Sequence, residues 1–232
     1  MSASVTLLGG AALGMAVGSL LVPVTRRELA TSVARTRSVP TESAVTTIDV
    51  AAPRVSRGQW VALAVASGLP PAYVLHRVGW SIIALPPLLL LVGLVQLAYC
   101  DLTRRLLPKT LVYALSAAVI VSGVIIAGIM HEWQRLLVAS LGGLALFAVF
   151  FVINLMNPRW MAFGDVRLSL VVGFGLAWVS PIALLEGFFF ANLLAAVIGF
   201  GLIAAHRAER GSAVPFGFYL ALGAALVLVT WS

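Results

Sequence analysis

Charge is scarce in this chain: of 232 residues, 10% are charged and 61% are hydrophobic. Soluble domains carry roughly a quarter of their residues as charges, so a soluble globular class is excluded. Cysteine is almost missing as well. A single Cys100 rules out a disulfide framework and any Cys-based zinc site. Alternation of apolar and polar residues with period two is also lacking, which excludes a membrane β-barrel.

What the chain has instead is a succession of continuous apolar runs, each near the roughly 20 residues a helix needs to cross a bilayer. Eight are read, at about 4–24, 59–75, 80–100, 110–130, 135–156, 163–179, 182–205 and 213–231. Unpaired backbone groups are not tolerated in lipid, so these runs form helices. The fold class is all-α: a polytopic membrane bundle of about eight transmembrane helices, forming one membrane-embedded domain over 1–232, with lipid as its surroundings. The one long connection, 25–58, is rich in Ser, Thr, Arg and Pro and cannot bury a core of its own. It reads as a cytoplasmic loop.

Basic residues orient the bundle. The first run has no basic leader and is followed by Arg26 and Arg27, the reverse of a signal peptide. With the N-terminus outside and eight spans, thirteen of the fifteen Lys and Arg residues face the cytoplasm, leaving only Arg77 and Arg135 outside. This count decides that the second run spans despite Pro70 and Pro71. The net charge of +7 is thereby explained by loop bias, with no nucleic-acid partner implied. The expected location is the inner (plasma) membrane.

Among the eight acidic residues, Glu28, Glu42, Asp49 and Glu209 fall in basic loops and Glu132 in a short outer turn. Three remain at or within the membrane. Asp101 ends the third run in "QLAYCDLTRRLLPKTLV", and Asp165 opens the sixth in "MNPRWMAFGDVRLSLVVGFGLAW". Two complete spans separate them, so both face the cytoplasmic side. Glu186 lies near the opposite end and reads as structural, bonded to Asn192 or another polar group between helices.

Two carboxyls brought within contact distance do not readily both ionise, so one keeps its proton. The ionised member can then draw a proton from water while the protonated one polarises a carbonyl, which is the chemistry of peptide hydrolysis. Gly164, lacking a Cβ, lets its backbone approach a substrate strand or a neighbouring helix. The competing explanation is local: Asp165 capping its helix, Asp101 sitting beside Arg104 and Arg105.

Other chemistries fit less well. Cys100 has no suitably placed base and reads as a small buried residue. "HEWQR" at 131–135 has Arg135 where a zinc-binding HExxH needs its second His. No Gly-x-Ser-Gly is present for a serine protease. A proton or cation transporter would stagger its carboxylates through the membrane, and a catalytically silent pilus or secretion assembly factor is compatible with the same residues. Small residues in "ASLGGLALFA" and "GFFFANLLAAVIGFG" are expected to pack helices within the bundle.

Three segments also carry a family resemblance. "FGDVRLSLVVGFGLAW" resembles the Gly-x-Gly-Asp-Val-Lys-Leu signature of type IV prepilin peptidases, which are intramembrane aspartyl proteases. "CDLTRRLLPKTLV" is similar to their first catalytic segment, and "AVPFGFYLALGAALVL" to their last-span Pro-Phe-Gly segment. The resemblance implies that Asp101 and Asp165 are the catalytic pair. It puts Gly164 beside the second of them, with Pro215, Phe216 and Gly217 packed near the site. It implies a pilin-like precursor with a short basic leader as substrate, cut at the cytoplasmic membrane face, with no cofactor and no metal. Ala162 stands where the signature has its first Gly, and Arg167 where it has Lys. Many bacterial members carry a zinc-binding domain with two cysteine pairs after the first span. Residues 25–58 hold no cysteine, so a peptidase without N-methyltransferase activity is expected.

Overall fold

A computed structural model describes residues 11–12, 15–16, 57–78, 81–104, 109–157, 163–204 and 216–230; side chains are described for these except 57–66, 78, 100–104 and 202–204. Seven helices make up nearly all of it: α1 (Arg57–Val78), α2 (Leu85–Arg104), α3 (Lys109–Met130), α4 (Trp133–Met156), α5 (Phe163–Val179), α6 (Pro181–Ala204) and α7 (Phe216–Thr230). They match seven of the eight expected runs. The first run, 4–24, and the loop 25–58 lie outside the described residues apart from helical positions 11–12 and 15–16. The latter pack on α1, where a Cβ on Gly68 would come within 2.9 Å of Met15.

Four segments are long and apolar enough to cross a membrane: Ile82–Tyr99, Lys109–Met130, Trp133–Met156 and Pro181–Gly201, with Phe216–Thr230 a shorter apolar helix. The outer face of α4 illustrates why lipid must surround the bundle. Leu137, Leu141, Leu144, Val152 and Leu155 are all exposed along one side. In water such a stripe would be a large unpartnered apolar patch.

Local sequence explains the helix limits. α2 begins later than its apolar run because Ser81 accepts a bond from the Ile83 amide at 3.3 Å and caps a 3-10 turn at Ile82–Ala84. Pro86 and Pro87 then fall in the first turn of α2, where missing N–H groups cost little. Pro70 and Pro71 stand inside α1 without ending it. Between α3 and α4 the chain reverses at His131, the one non-glycine residue with positive φ (58°) among those described. Ser180 caps α6 by accepting from the Ile182 amide at 3.1 Å.

α5 is the hub, packing against α2, α3, α4, α6 and α7. Twelve of its 17 residues are buried. Its partners come close because small residues line the seams: a Cβ on Gly173 would lie 2.8 Å from the Gly142 carbonyl and 3.0 Å from the Gly143 Cα. That is backbone-to-backbone contact between α4 and α5, of the kind that packs membrane helices. Gly187 of α6 likewise closes on Leu176, and Gly223 of α7 lies against the backbone of Gly187 and Ala191. Gly199 and Gly201 have nothing within 4 Å of an added Cβ, so only the first half of the α6 small-residue run packs inside the bundle.

Two contacts set the direction of α5 against α2. The Trp178 indole donates to the Ile83 carbonyl at 2.9 Å, and Gly175 sits directly on the Leu90 side chain. The end of α5 thus meets the start of α2, and the two helices run antiparallel.

Candidate active site

Asp165 is the third residue of α5, inside the first turn, and is 6% exposed. An acid at this position is favoured by the unpaired amides and positive dipole of the helix start. Its burial, however, is more than a capping role requires. Capping residues normally keep contact with water, whereas Asp165 has the buried Val166, Leu168 and Ser169 beside it on the same helix. Gly164, just before it, is half-buried.

Arg167 is two residues on and therefore about 200° around the helix from Asp165. Its guanidinium lies 4.5 Å from the centroid of the Phe163 ring and 5.4 Å from that of Tyr113 on α3. Held between two aromatic faces, it ties the first turn of α5 to the first turns of α3.

Asp101 lies in the last turn of α2, which is described through Arg104, while its side chain and that of Cys100 lie outside the described residues. Of the Pro-Phe-Gly segment, Pro215 also lies outside them. Phe216 opens α7 and packs edge-to-face on the buried Phe150 of α4, ring centroids 5.5 Å apart, and Gly217 is buried behind it. Glu186 is exposed on α6, and Asn192 donates to the Phe188 carbonyl of its own helix at 2.7 Å. The expected Glu186–Asn192 pairing is therefore not formed. Asn192 is four residues after Phe188, where the helix supplies an acceptor one turn back.

One further polar site is inconspicuous in the sequence. Gln96 of α2 is fully buried and donates through Nε2 to Ser67 Oγ of α1 at 3.0 Å, while its Oε1 has no hydrogen-bond partner. A lone glutamine in "LLLLVGLVQLAYC" was the available signal.

Comparison with known proteins bears on this arrangement. A family described as the type IV leader peptidase family matches residues 88–204, from the first turns of α2 to the end of α6. A prepilin leader peptidase/N-methyltransferase of Stutzerimonas stutzeri is 33% identical over 171 residues, 72% of this chain and 56% of the relative. The protein of the same name from Aeromonas salmonicida is 30% identical, covering 65% of this chain and 50% of the relative. That of Pseudomonas aeruginosa is 28% identical, covering 71% and 56%. The chain spans about half the length of these relatives. No solved structure matches it. By the extent of the family match and the identity to the first of these relatives, this chain belongs to the type IV leader peptidase family.

Proposed function

We propose that this chain is a membrane aspartyl endopeptidase that removes the short basic leader from type IV prepilin-like precursors, with Asp101 and Asp165 as its acid–base pair. The observation that carries the proposal is the antiparallel register of α2 and α5. Leu90 meets Gly175. Asp101 is eleven residues onward along α2 (101 − 90), and Asp165 is ten residues back along α5 (175 − 165). At ~1.5 Å per residue these are steps of about 16 and 15 Å toward the same end of the bundle. Both positions therefore come to one depth. Eleven residues at ~100° each also return to within about 20° of the starting direction, so position 101 shares the α5-facing side of α2 with Leu90. Asp165 lies about 80° around α5 from Gly175, within its buried surface.

The same count brings in the third segment. Gly223 meets Gly187 and Ala191, and Gly187 meets Leu176. Counting back along α7 from Gly223 to Phe216 reaches a level within about one turn of Asp165. Phe216 and Gly217, with Pro215 before them, would form one wall of the site, and Gly164 would give substrate backbone access beside Asp165. A proton-transport reading is less well supported, because it calls for carboxylates spread through the membrane and not gathered at one depth.

In the proposed reaction one carboxyl is ionised and the other protonated. The ionised carboxylate takes a proton from water as the oxygen attacks the scissile carbonyl. The protonated partner donates to the carbonyl oxygen. As the C–N bond breaks, the newly protonated carboxyl gives its proton to the leaving amine, and a hydroxyl of the tetrahedral intermediate returns one to the partner, which restores the starting state of the pair. On the basic loop bias, this end of the bundle would lie at the cytoplasmic face, with the N-terminus outside, and the membrane would be the inner (plasma) membrane. A basic leader outside the bilayer followed by an apolar helix within it would present its junction at that depth. Only the peptidase half of the relatives' name is carried over to this chain, because 25–58 lacks cysteine.

The test is leader cleavage of a pilin-like precursor in membranes by the native chain, Asp101→Asn and Asp165→Asn, at matched expression. Cleavage by the native chain and loss of at least about 10³-fold in each variant is the expected result. Cleavage surviving in either variant would refute the two-aspartate mechanism. Several precursors left uncut by a folded native chain would favour a silent assembly factor.

A further inference from the structure

At the end of the bundle far from Asp165, the helices leave a cavity of about 340 Å³. Its floor is formed by Val74 of α1, Leu91 of α2, Trp178 of α5 and Leu228 of α7, all buried. Its rim carries the exposed Ser81 and the half-exposed Arg135. The volume lies within the range of ligand sites, which begins at roughly 300 Å³.

Water is a poor occupant. An ordered water needs two to four polar partners, and the apolar side chains of the floor supply none, so an apolar guest is favoured there. The single polar group on the floor, the Trp178 N–H, already donates to the Ile83 carbonyl. The occupant must therefore be apolar at depth and polar at the rim. There the guanidinium of Arg135 is 3.6 Å from the Glu132 carboxylate, a cation and an anion side by side. Trp133, beside them at the start of α4, is exposed, as aromatic residues are at the headgroup level of a bilayer. Arginine suits a phosphate through its planar fork of donors. The neighbouring Glu132 disfavours a purely anionic headgroup and favours one that also bears an ammonium.

We propose that this cavity binds one acyl chain of a zwitterionic phospholipid from the leaflet opposite Asp165, with the phosphate on Arg135 and the ammonium toward Glu132. The site is independent of the proposed peptidase chemistry, lying about the length of α5 away from it.

The test uses the full chain in detergent, delipidated and then titrated with dioleoyl phosphatidylethanolamine, dioleoyl phosphatidylglycerol or dioleoylglycerol. Retained lipid is counted by native mass spectrometry. One phosphatidylethanolamine per chain is expected, with dioleoylglycerol retained at least tenfold less. Arg135→Gln should lower phosphatidylethanolamine retention about tenfold, and Ala84→Phe, which fills the lining, should abolish it. Arg135→Gln changes a half-exposed side chain, so its result stands even if Ala84→Phe does not fold; thermal melting confirms the fold of each. No retained lipid, equal retention of dioleoylglycerol, or unchanged retention in Arg135→Gln would overturn the site. Preferential retention of phosphatidylglycerol would overturn the part assigned to Glu132.

Discussion

The Trp178 indole N–H donates to the Ile83 carbonyl at 2.9 Å, across 95 residues of sequence, and fastens the end of the central helix α5 to the start of α2. The ring also stacks on Phe174 of its own helix, centroids 6.0 Å apart. Ile83 belongs to a 3-10 turn, whose carbonyls are not all used internally, so the indole supplies a bond the backbone needs. Trp178→Phe keeps most of the apolar surface and removes that donor. It should cost about 0.5–1.5 kcal/mol, the net worth of one hydrogen bond to this partly buried acceptor. The check is thermal unfolding in detergent; a melting temperature unchanged from the native chain would refute the role of the bond.

Gly173 and Gly199 make an opposed pair. A Cβ at Gly173 would meet the backbone of Gly142 and Gly143 at 2.8 and 3.0 Å, and backbone has no rotamer with which to retreat. Gly173→Ala is therefore expected to destabilise by about 1–3 kcal/mol and to move α5 relative to α4, lowering activity with it. Gly199→Ala meets nothing within 4 Å and removes a flexible residue from a helix interior. It should be neutral or stabilise by up to about 1 kcal/mol. Parallel melting curves of the two single variants decide the matter, and similar losses in both would show that packing at Gly173 is not special.

The expectation that small residues pack inside the bundle holds at Gly142, Gly143 and Gly187 and stops at Gly199 and Gly201. That difference shows what the sequence can and cannot carry. Hydropathy located seven helices to within a few residues, because lipid demands long apolar runs wherever a helix crosses. It did not reveal that α5, opening with Asp165 and Arg167, is the most enclosed helix among the described residues. In lipid a helix is apolar both where it meets other helices and where it meets the bilayer, so the contrast that marks a buried face in water disappears. Twelve of 17 residues are buried in α5, against five of 24 in α4, yet both runs read as continuously apolar. The candidate site was legible because charge remains conspicuous in lipid. Gln96, uncharged and alone, does not stand out, and the rim pair of Glu132 and Arg135 has the pattern of an ordinary outer turn.

Gln96 and Ser67 form a buried polar contact between α2 and α1 at 3.0 Å, with the Gln96 Oε1 lacking a partner. An unpaired buried polar group costs about 1–3 kcal/mol, whereas removing both partners together can be nearly neutral. Ser67→Ala should therefore destabilise by about 1–2 kcal/mol, since it strands the amide. Gln96→Leu, close in size, should be neutral or stabilising. The double variant should be no less stable than Gln96→Leu alone, so the cycle has a clear coupling term. Additive losses would mean that the two side chains do not act as a pair.

Arg167 offers a test of how the first turn of α5 is held. Its stacking on Phe163 and Tyr113 links that turn to α3, on the side of the helix away from Asp165. Cation–π contacts at partly exposed sites contribute about 0.5–1 kcal/mol each. Arg167→Met keeps the apolar stem and loses the cation, and should lower stability by about 1 kcal/mol. If the proposed site depends on the placement of Asp165, a small displacement of this turn should reduce kcat several-fold while KM changes less, because binding of the substrate helix is left largely intact. Arg167→Lys keeps a cation but not the planar stacking, so it should recover part of the loss. A variant with native stability and reduced kcat would instead point to direct contact between Arg167 and substrate. Native values of both in Arg167→Met would leave the aromatic clamp without consequence for the site.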